Sequence, residues 1–369
     1  MPNKNNSKLI SEAKPHTVKK FELIEKYITE WAQKLMNNDS CTGIIFIDCM
    51  CNSGLYTDVD GKQVYGTPIR VANILADVAA SYPHKQVELY FNDKNKDKIA
   101  VLEQKMPERK SNFKYVLKHI DGNDLIRWIG DQLKSTGHMH YFLLYDPYEA
   151  SINWDALKPF FKNWGEVLIN HMISDTIRAV SQVKREESIK KYQETYQAEA
   201  LSKIIPYGSD RSSYENRIVE IINKLKGSPN REYYVATFPF FNRKNSLVYD
   251  LVHCTSNIEG FRLFKKSAWK TFDGKSSIKS GNKSAQLALN FDEDAECSSE
   301  ADEYCYTLED VADYIQVHFK GLKNVPYDDV WAILDSHPIF PYNGFRQEIK
   351  KILRNTYGAK PHLSTIDFQ

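Results

Sequence analysis

Acidic and amide side chains follow four apolar segments of this sequence, each at the point where the segment ends. Asp48, Asp93 and Asp146 stand after three of them, and Asp121 with Asn123 follows the remaining one. If these segments are parallel strands of one open sheet, their carboxyl ends form the edge at which such sheets bind ligands. Carboxylate and amide groups there can accept hydrogen bonds from an ammonium group, ribose hydroxyls and an exocyclic amine. The spacing thus predicts a site for a nucleoside that carries an amino-acid moiety.

The first group lies in a turn of small and polar residues after the segment GIIFID. Asp48 ends that segment, and the turn runs through Asn52 and Ser53 to Gly54. Because glycine lets a backbone approach a ligand closely, we expect the turn to line a cofactor while Asp48 accepts from its ammonium group. An ordinary strand-to-helix turn, capped by Asn52 or Ser53, explains the same residues.

The second and third groups fit the sugar and the base of such a ligand. Asp93 lies 45 residues after Asp48, more than the about 20 residues of a compact dinucleotide fingerprint, and a loop insertion over residues 57–67 explains the difference. We expect Asp93 to accept from the ribose hydroxyls and Asp121 or Asn123 to bind the amine of an adenine. Capping of the helix that follows each strand is the alternative.

The fourth group, Asp146-Pro147-Tyr148, has the residue types that chemistry on an amino group needs. A planar carbonyl beside the proline, the carboxylate and the tyrosine ring could hold an amine and stack on a base, orienting the nitrogen for attack on a methyl sulfonium. Transfer of a methyl group requires mainly such positioning. A plain turn after a strand is the competing interpretation.

The elements that must position these residues alternate between strand and helix. Short apolar segments predict strands, and segments with apolar residues three and four apart predict helices. The expected strands are 43–48, 87–91, 113–118, 141–145 and 166–169, and the expected helices are 17–36, 68–81, 95–106, 123–134 and one starting near 154. A hairpin of 233–241 and 247–254 should close the sheet with antiparallel strands. The order predicts an α/β fold with a doubly wound sheet.

Shifts in composition divide the chain into regions. We expect a flexible leader over 1–16, a Rossmann-like domain over 17–290 with a helical insertion at about 175–230, an acidic linker over 291–304 and a small domain over 305–369. Three short helices and a strand-like tail in the last region are typical of a winged helix-turn-helix domain.

Bulk properties exclude several classes of protein. The 49 Lys and Arg against 48 Asp and Glu leave a net charge of +1, so any nucleic-acid contact must use a local patch. Six cysteines without a CxxC pair predict reduced thiols and no metal site. Without a signal peptide or a run of about 20 apolar residues, the sequence predicts a cytoplasmic protein.

Several stretches of the chain resemble the three-Cys-motif partner (TcmP) family, which is similar to class I methyltransferases. The stretches, spread over about residues 15–255, are 16–20 (HTVKK), 46–56, 65–68 (YGTP), 91–93 (FND) and 144–148 (LYDPY). The resemblance implies a class I methyltransferase fold, S-adenosylmethionine as cofactor and a neighbour-encoded three-Cys-motif protein as partner. It also places His16 and Lys19 near the site and a winged helix at the end of the chain.

Two basic segments are candidates for contact with nucleic acid. The run 262–283 combines lysines with aromatic residues, which offer charge and stacking surfaces; the lysines we select there are Lys265, Lys266 and Lys270. A basic stripe along one predicted helix contains Arg346, Lys350 and Arg354, with Lys351 beside them. A surface loop and a solvated helix face, respectively, are the competing interpretations.

The leading hypothesis from the sequence is an S-adenosylmethionine-dependent methyltransferase that acts on an amino group of a nucleic-acid base. The turn at 49–54 has one glycine fewer than the family's usual Phe-Ala-Gly-Pro-Gly-like turn. A catalytically degenerate module that recruits nucleic acid or a partner protein is therefore the alternative. A dinucleotide oxidoreductase is disfavoured because the sequence lacks a GxGxxG fingerprint.

Overall fold

The structure is a computed structural model that describes residues 9–133, 138–147, 149, 151–174, 186–200, 211–277 and 305–369. Tyr148, the predicted linker 291–304 and residues 278–283 of the basic run lie outside the described residues. Within the described ranges, the strands and helices follow the alternation that the sequence predicts.

The strands among the described residues are β1 (Ser11–Glu12), β2 (Gly43–Asp48), β3 (Leu55–Thr57), β4 (Gln63–Tyr65), β5 (Gln86–Asn92), β6 (Phe113–Lys118), β7 (Met139–Tyr145), β8 (Gly165–His171), β9 (Tyr234–Phe241), β10 (Leu247–Thr255), β11 (Val325–Pro326), β12 (Lys360–Pro361) and β13 (Thr365–Asp367). The α-helices are α1 (Pro15–Met36), α2 (Thr67–Ser81), α3 (Lys96–Glu103), α4 (Gly122–Gln132), α5 (Trp154–Lys162), α6 (Glu186–Tyr196), α7 (Arg211–Leu225), α8 (Ile258–Thr271), α9 (Leu308–Phe319), α10 (Tyr327–Ala332) and α11 (Arg346–Tyr357).

Seven strands form the main sheet, in the order β6-β5-β2-β7-β8-β10-β9. The five strands from β6 to β8 run parallel, and β10 pairs antiparallel with β8 and with β9. The mixed α/β fold with a hairpin that closes one side of the sheet is therefore confirmed. The chain proceeds outward from β2 to β6 in one direction and then returns to β7 on the other side of β2, so the sheet has its switch point between β2 and β7.

Apolar side chains cover both faces of this sheet, which explains the near-continuous hydrophobic strands. One face packs against α1, α2 and α8, and the other packs against α4, α5 and α7. Every residue of β2 is buried. A strand of this kind has no solvent-facing side, so its only polar side chain, Asp48, stands at its end.

The first residues described are part of the fold. Strand β1 pairs parallel with β3, which in turn pairs with β4, and α1 begins at Pro15, two residues before the predicted start. Residues 11–16 of the predicted leader are thus ordered by backbone pairing and by the helix. The predicted loop insertion at 57–67 contains β4 and the end of β3, because residues 55–57 and 63–65 form a hairpin.

The last described region, residues 305–369, contains α9 to α11 and a three-stranded antiparallel sheet in the order β11-β13-β12. Its apolar residues belong to the same core cluster as the sheet face under α1 and α8. Helix α8 connects the two, because Trp269 donates through Nε1 to the carbonyl of Ile339 at 2.8 Å. We call residues 305–369 the C-terminal unit.

No helix among the described residues has the length and apolar character that crossing a membrane requires.

Candidate functional site

Asp48 and Asp146 mark the two sides of the switch point of the sheet. Asp48 is the last residue of β2 and lies in register with Leu144 of the neighbouring strand β7. Asp146 follows β7 directly. Because ligands of open α/β sheets bind in the crevice at this position, the two carboxylates stand where a cofactor site is expected.

The carboxyl of Asp48 is buried beside other acids. Only 2% of the residue is exposed, and the Met50 backbone N–H donates to its Oδ1 at 3.3 Å. Burial, followed by the negative charges of Asp146 and Asp93, raises the pKa of Asp48 to about 8. At neutral pH this group is therefore largely protonated, and a cationic ligand would favour its ionised form.

Asp146 is held by two side chains that are not among the predicted site residues. The ammonium group of Lys20 donates to Oδ2 of Asp146, and the amide of Asn170 donates to Oδ1. Lys20 comes from α1 and Asn170 from β8, so two distant elements fix one carboxylate. Pro147 is buried next to it, and Tyr148 lies outside the described residues.

Asp93 lies at the same edge, just beyond the end of β5. Its Oδ1 accepts the backbone N–H of Asn95 at 2.8 Å, and its Oδ2 is 3.7 Å from the ammonium of Lys98. The side chain of Asn95, and not that of Asp93, caps α3. The alternative that the side chain of Asp93 caps this helix is therefore wrong. The carboxylate is buried at the edge of the sheet where the parallel strands end.

The neighbouring Asn92 ties three strand ends together. Its amide donates to the carbonyls of Cys49 and Ile120, each at 3.0 Å, and its Oδ1 accepts the Ile120 N–H at 3.0 Å. The turns after β2 and β6 are thereby fixed to the end of β5. The sequence gives no direct signal for this role, because an asparagine next to an aspartate is equally common in turns.

The turn at 49–54 is built around the N-terminal segment. The hydroxyl of Ser53 is fully buried and donates to the carbonyl of Leu9 at 2.7 Å, and the amide of Asn52 donates to Ser11 Oγ at 3.2 Å. Asn52 and Gly54 both have positive φ, at 59° and 69°. This left-handed backbone conformation is one that Gly and Asn adopt more readily than other residues. The side chains of Asn52 and Ser53 therefore bind protein, and the turn offers a ligand mainly its backbone.

Asp121 and Asn123, which we expected to bind the amine of an adenine, both accept hydrogen bonds from groups of the protein. Asp121 is exposed and caps α4, its side chain accepting the Asn123 N–H at 2.9 Å, so capping explains this residue. Asn123 is half-buried, and its Oδ1 accepts the hydroxyl of Tyr145 at 3.0 Å. Asp121 follows the end of β6 by three residues, at the same edge of the sheet as Asp93.

His16 and Lys20, rather than Lys19, connect α1 to the site. Lys19 donates to Glu22 and, at 3.4 Å, to the carbonyl of Thr271, away from Asp146. His16 is buried, and burial followed by the charges of Lys14 and Lys20 lowers its pKa to about 4, which keeps it neutral. The spacing of four residues between His16 and Lys20 is the helical signal that could have selected Lys20.

Where the structure describes the basic run, over residues 262–277, its aromatic side chains are not the exposed stacking surfaces that the sequence predicted. Residues 258–271 form α8, and the aromatic residues of the run are buried: Phe261, Phe264, Trp269 and Phe272. Lys265 is fully buried and donates to the carbonyls of Leu334 and His337 at 2.7 and 3.0 Å. Its predicted contact with nucleic acid does not fit this position, because the helix is packed between the sheet and the C-terminal unit.

Lys266 and Lys270 lie on the same helix at less enclosed positions. Lys266 pairs with Glu30 of α1, which engages its charge within the protein. Lys270 is exposed. Of the three lysines selected from the run, Lys270 is the one whose side chain faces solvent.

The basic stripe on α11 is divided between packed and free side chains. The guanidinium of Arg346 lies 5.3 Å from the ring centre of Trp331, and the ammonium of Lys350 lies 3.3 Å from that of Tyr327. Arg354 and Lys351 are exposed. A phosphate at this face would therefore meet Lys351 and Arg354 first.

The chemistry of the edge groups fits a ligand rich in hydrogen-bond donors and carrying positive charge. Asp48, Asp93 and Asp146 supply acceptors, and the pKa of Asp48 responds to both of the others. The sulfonium, ammonium and ribose hydroxyls of S-adenosylmethionine have the complementary character.

No family model and no curated protein matches this chain. Solved structures to which it is similar include a protein from Legionella pneumophila, with 10% identity over 64% of this chain and 84% of that one and a TM-score of 0.37. Human methyltransferase-like protein 13 in complex with SAH shares 10% identity over 68% and 91% of the two chains, with a TM-score of 0.29. A loganic acid methyltransferase with SAH shares 9% identity over 69% and 81%, with a TM-score of 0.29.

Proposed function

We propose that this protein is an S-adenosylmethionine-dependent methyltransferase whose acceptor is an amino group of a nucleic-acid base. The observation that carries the proposal is the convergence of Asp48, Asp93 and Asp146 at the carboxyl ends of β2, β5 and β7, on either side of the switch point. Ligands of doubly wound sheets bind at this place, and three acids there suit a cationic nucleoside.

Each carboxylate has a role in this proposal. Asp48 would accept from the ammonium of the methionine moiety and Asp93 from the ribose hydroxyls, and the segment of Asp121 and Asn123 would contact the adenine. S-adenosylmethionine supplies an activated methyl group when bound. Asp146 and Pro147, with Tyr148, orient the acceptor nitrogen toward that methyl group.

The nucleic-acid part of the proposal rests on the C-terminal unit. Its elements follow one another as helix, strand, helix, helix and two strands, the order of a winged helix-turn-helix domain. Exposed Lys351 and Arg354 lie on its last helix, α11. We assign Lys270 to the nucleic-acid surface as well. A neighbour-encoded three-Cys-motif protein is a further partner in this proposal.

A second candidate function follows from the turn at 49–54. Because Asn52 and Ser53 hold the N-terminal segment through Ser11 and Leu9, the turn differs from a glycine-rich cofactor loop. A module that binds nucleic acid without a cofactor would have no need of such a loop. Under this alternative, binding of nucleic acid is unaffected by Asp146→Ala.

Calorimetry with S-adenosylhomocysteine tests the methyltransferase proposal. We expect the wild-type protein to bind it and Asp48→Ala and Asp93→Ala to weaken binding about tenfold or more, the value of one lost charge-assisted hydrogen bond. Asp124→Ala is the matched control, since Asp124 is exposed and pairs only locally with Arg127. Absence of binding of S-adenosylmethionine and S-adenosylhomocysteine at millimolar concentration would contradict the proposal.

A further inference from the structure

We propose that Lys20 is a positioning residue of this site, which fixes the carboxylate of Asp146 in one orientation together with Asn170 and sets the charge balance between Asp146 and Asp48. The inference rests on the proposed function, since it states how the acceptor side of that same site is held. Lys20 acts through Asp146, and we assign it no contact with substrate.

The contacts of Asp146 leave its side chain little freedom. Lys20 of α1 donates to Oδ2 and Asn170 of β8 donates to Oδ1. Lys20 and Asn170 are both buried, with 7% and 3% of their surfaces exposed. Because both carboxylate oxygens accept from buried side chains, Asp146 is held in one orientation.

The first turn of α1 is anchored so that Lys20 reaches the site. The hydroxyl of Tyr249, on β10, donates to the carbonyl of His16 at 3.1 Å, and the His16 ring packs edge-on against Tyr249. The ammonium of Lys20 lies 5.4 Å from the centre of the same tyrosine ring. The helix start and the lysine therefore share one support on the antiparallel part of the sheet.

Lys20 is also the cation that acts on Asp48. Among the groups around Asp48, Asp146 after β7 and Asp93 after β5 raise its pKa, whereas Lys20 of α1 lowers it. The other titratable neighbours, Cys49, Cys51 and Tyr56, have pKa values raised by burial and stay neutral. Loss of Lys20 therefore increases the proton affinity of Asp48 and makes ionisation of that group harder at neutral pH.

The closing experiment compares Lys20→Met, Lys20→Arg and Lys19→Met in the full chain. Lys19 is the neighbouring lysine of the same helix, but it contacts Glu22 and Thr271. S-adenosylhomocysteine binding is measured by calorimetry from about pH 6 to about pH 9, a range that brackets the titration of Asp48.

We expect Lys20→Met to weaken binding by about tenfold at neutral pH, the effect of about one pKa unit. The affinity of the variant should also reach its plateau at a higher pH than that of the wild type. Lys20→Arg should restore most of the affinity, and Lys19→Met should match the wild type. A Lys20→Met protein with wild-type affinity and pH dependence overturns the inference while the proposed function stands.

If the wild-type protein binds no cofactor, the proposed function fails and a second measurement decides the inference. Chemical denaturation of Lys20→Met, Asp146→Asn and the double variant forms a double-mutant cycle. Two partners of one buried pair should lose less stability together than the sum of the single losses. Additive losses would show that the two residues do not interact and would overturn the inference.

Discussion

Asp48 ends β2 and Asp146 directly follows the adjacent parallel strand β7, at the point where the strand order of the sheet reverses. Burial and then the charge of Asp146 raise the pKa of Asp48 to about 8. An acid held in this way costs the folded protein stability when it ionises, and that cost is typical of groups kept for binding rather than for folding.

The first prediction concerns the stability of Asp48→Asn. A folded-state pKa above the unfolded value means that the native state binds the proton more tightly, so wild-type stability falls as pH rises from about 4 to about 8. The variant lacks this titration. We expect it to be more stable than the wild type at pH 8 by on the order of 5 kcal/mol, about 1.4 kcal/mol for each unit of the rise in pKa, with the difference vanishing near pH 4. Urea denaturation at several pH values measures this, and an equal difference at every pH would contradict it.

The second prediction concerns Glu166, which lies under the opposite end of the sheet. Tyr27 donates to its Oε2, and His253 Nε2 lies 2.8 Å from the same oxygen. Although burial opposes it, the His140 and His253 rings beside the carboxylate lower the pKa of Glu166 to about 2. A carboxyl group whose pKa is lowered in the folded state stabilises the fold at pH values above its pKa in the unfolded chain. This stabilisation is lost as the pH falls toward 2.

Glu166→Gln should therefore destabilise the protein by about 3 kcal/mol at neutral pH, because a buried partner is lost from a polar cluster. The matched control is Glu232→Gln, since Glu232 also accepts from a tyrosine hydroxyl, that of Tyr234, but at an exposed site. Urea denaturation should show a change of less than about 0.5 kcal/mol for the control. Equal effects of the two substitutions would refute the role of burial.

The third prediction concerns the attachment of the C-terminal unit to α8. The guanidinium of Arg262 makes a two-pronged contact with Asp335, with Nε 3.0 Å from Oδ1 and Nη2 2.5 Å from Oδ2, and stacks 3.6 Å from the ring centre of Tyr342. Arg262→Ala should destabilise the protein by about 1–3 kcal/mol and accelerate proteolytic release of the C-terminal unit. Arg354→Ala, at an exposed position of α11, should leave the proteolysis rate unchanged; equal rates for all three proteins would argue against the contact.

The fourth prediction separates free from packed basic residues in nucleic-acid binding. Lys351→Ala and Arg354→Ala should each weaken binding of a duplex and lower the slope of log affinity against log salt by about 1, the effect of one lost phosphate contact. Lys266→Ala should leave the slope unchanged, because Lys266 pairs with Glu30. Fluorescence anisotropy over a salt series measures both. Unchanged slopes for all variants would place the nucleic-acid surface elsewhere.

The sheet could be predicted from the sequence because its strands are buried on both faces. Strand β2 consists of five apolar residues followed by an acid, and the observed bounds Gly43–Asp48 coincide with the predicted ones. The antiparallel hairpin was predicted because its two segments are dense in aromatic and β-branched residues around a polar turn. Local pattern determines these elements, so no knowledge of distant contacts was needed.

The partners of the site residues could not be predicted, because they depend on contacts between distant parts of the chain. Lys20 and Asp146 are 126 positions apart, and helical spacing alone does not show that α1 begins beside the end of β7. Lys265 was misassigned for the same reason. A lysine in a basic run is usually solvated, and only the packing of α8 against Leu334 and His337 reveals that this one is enclosed.

The double-sided packing of α8 limits how this chain can be divided. A polypeptide ending before residue 305 would leave Trp269 without the Ile339 carbonyl and Lys265 with a stranded ammonium. The uncovered aromatic surface would favour self-association. Trimming the protein at the acidic stretch is thus expected to yield aggregates, so fragments for crystallisation should retain the C-terminal unit.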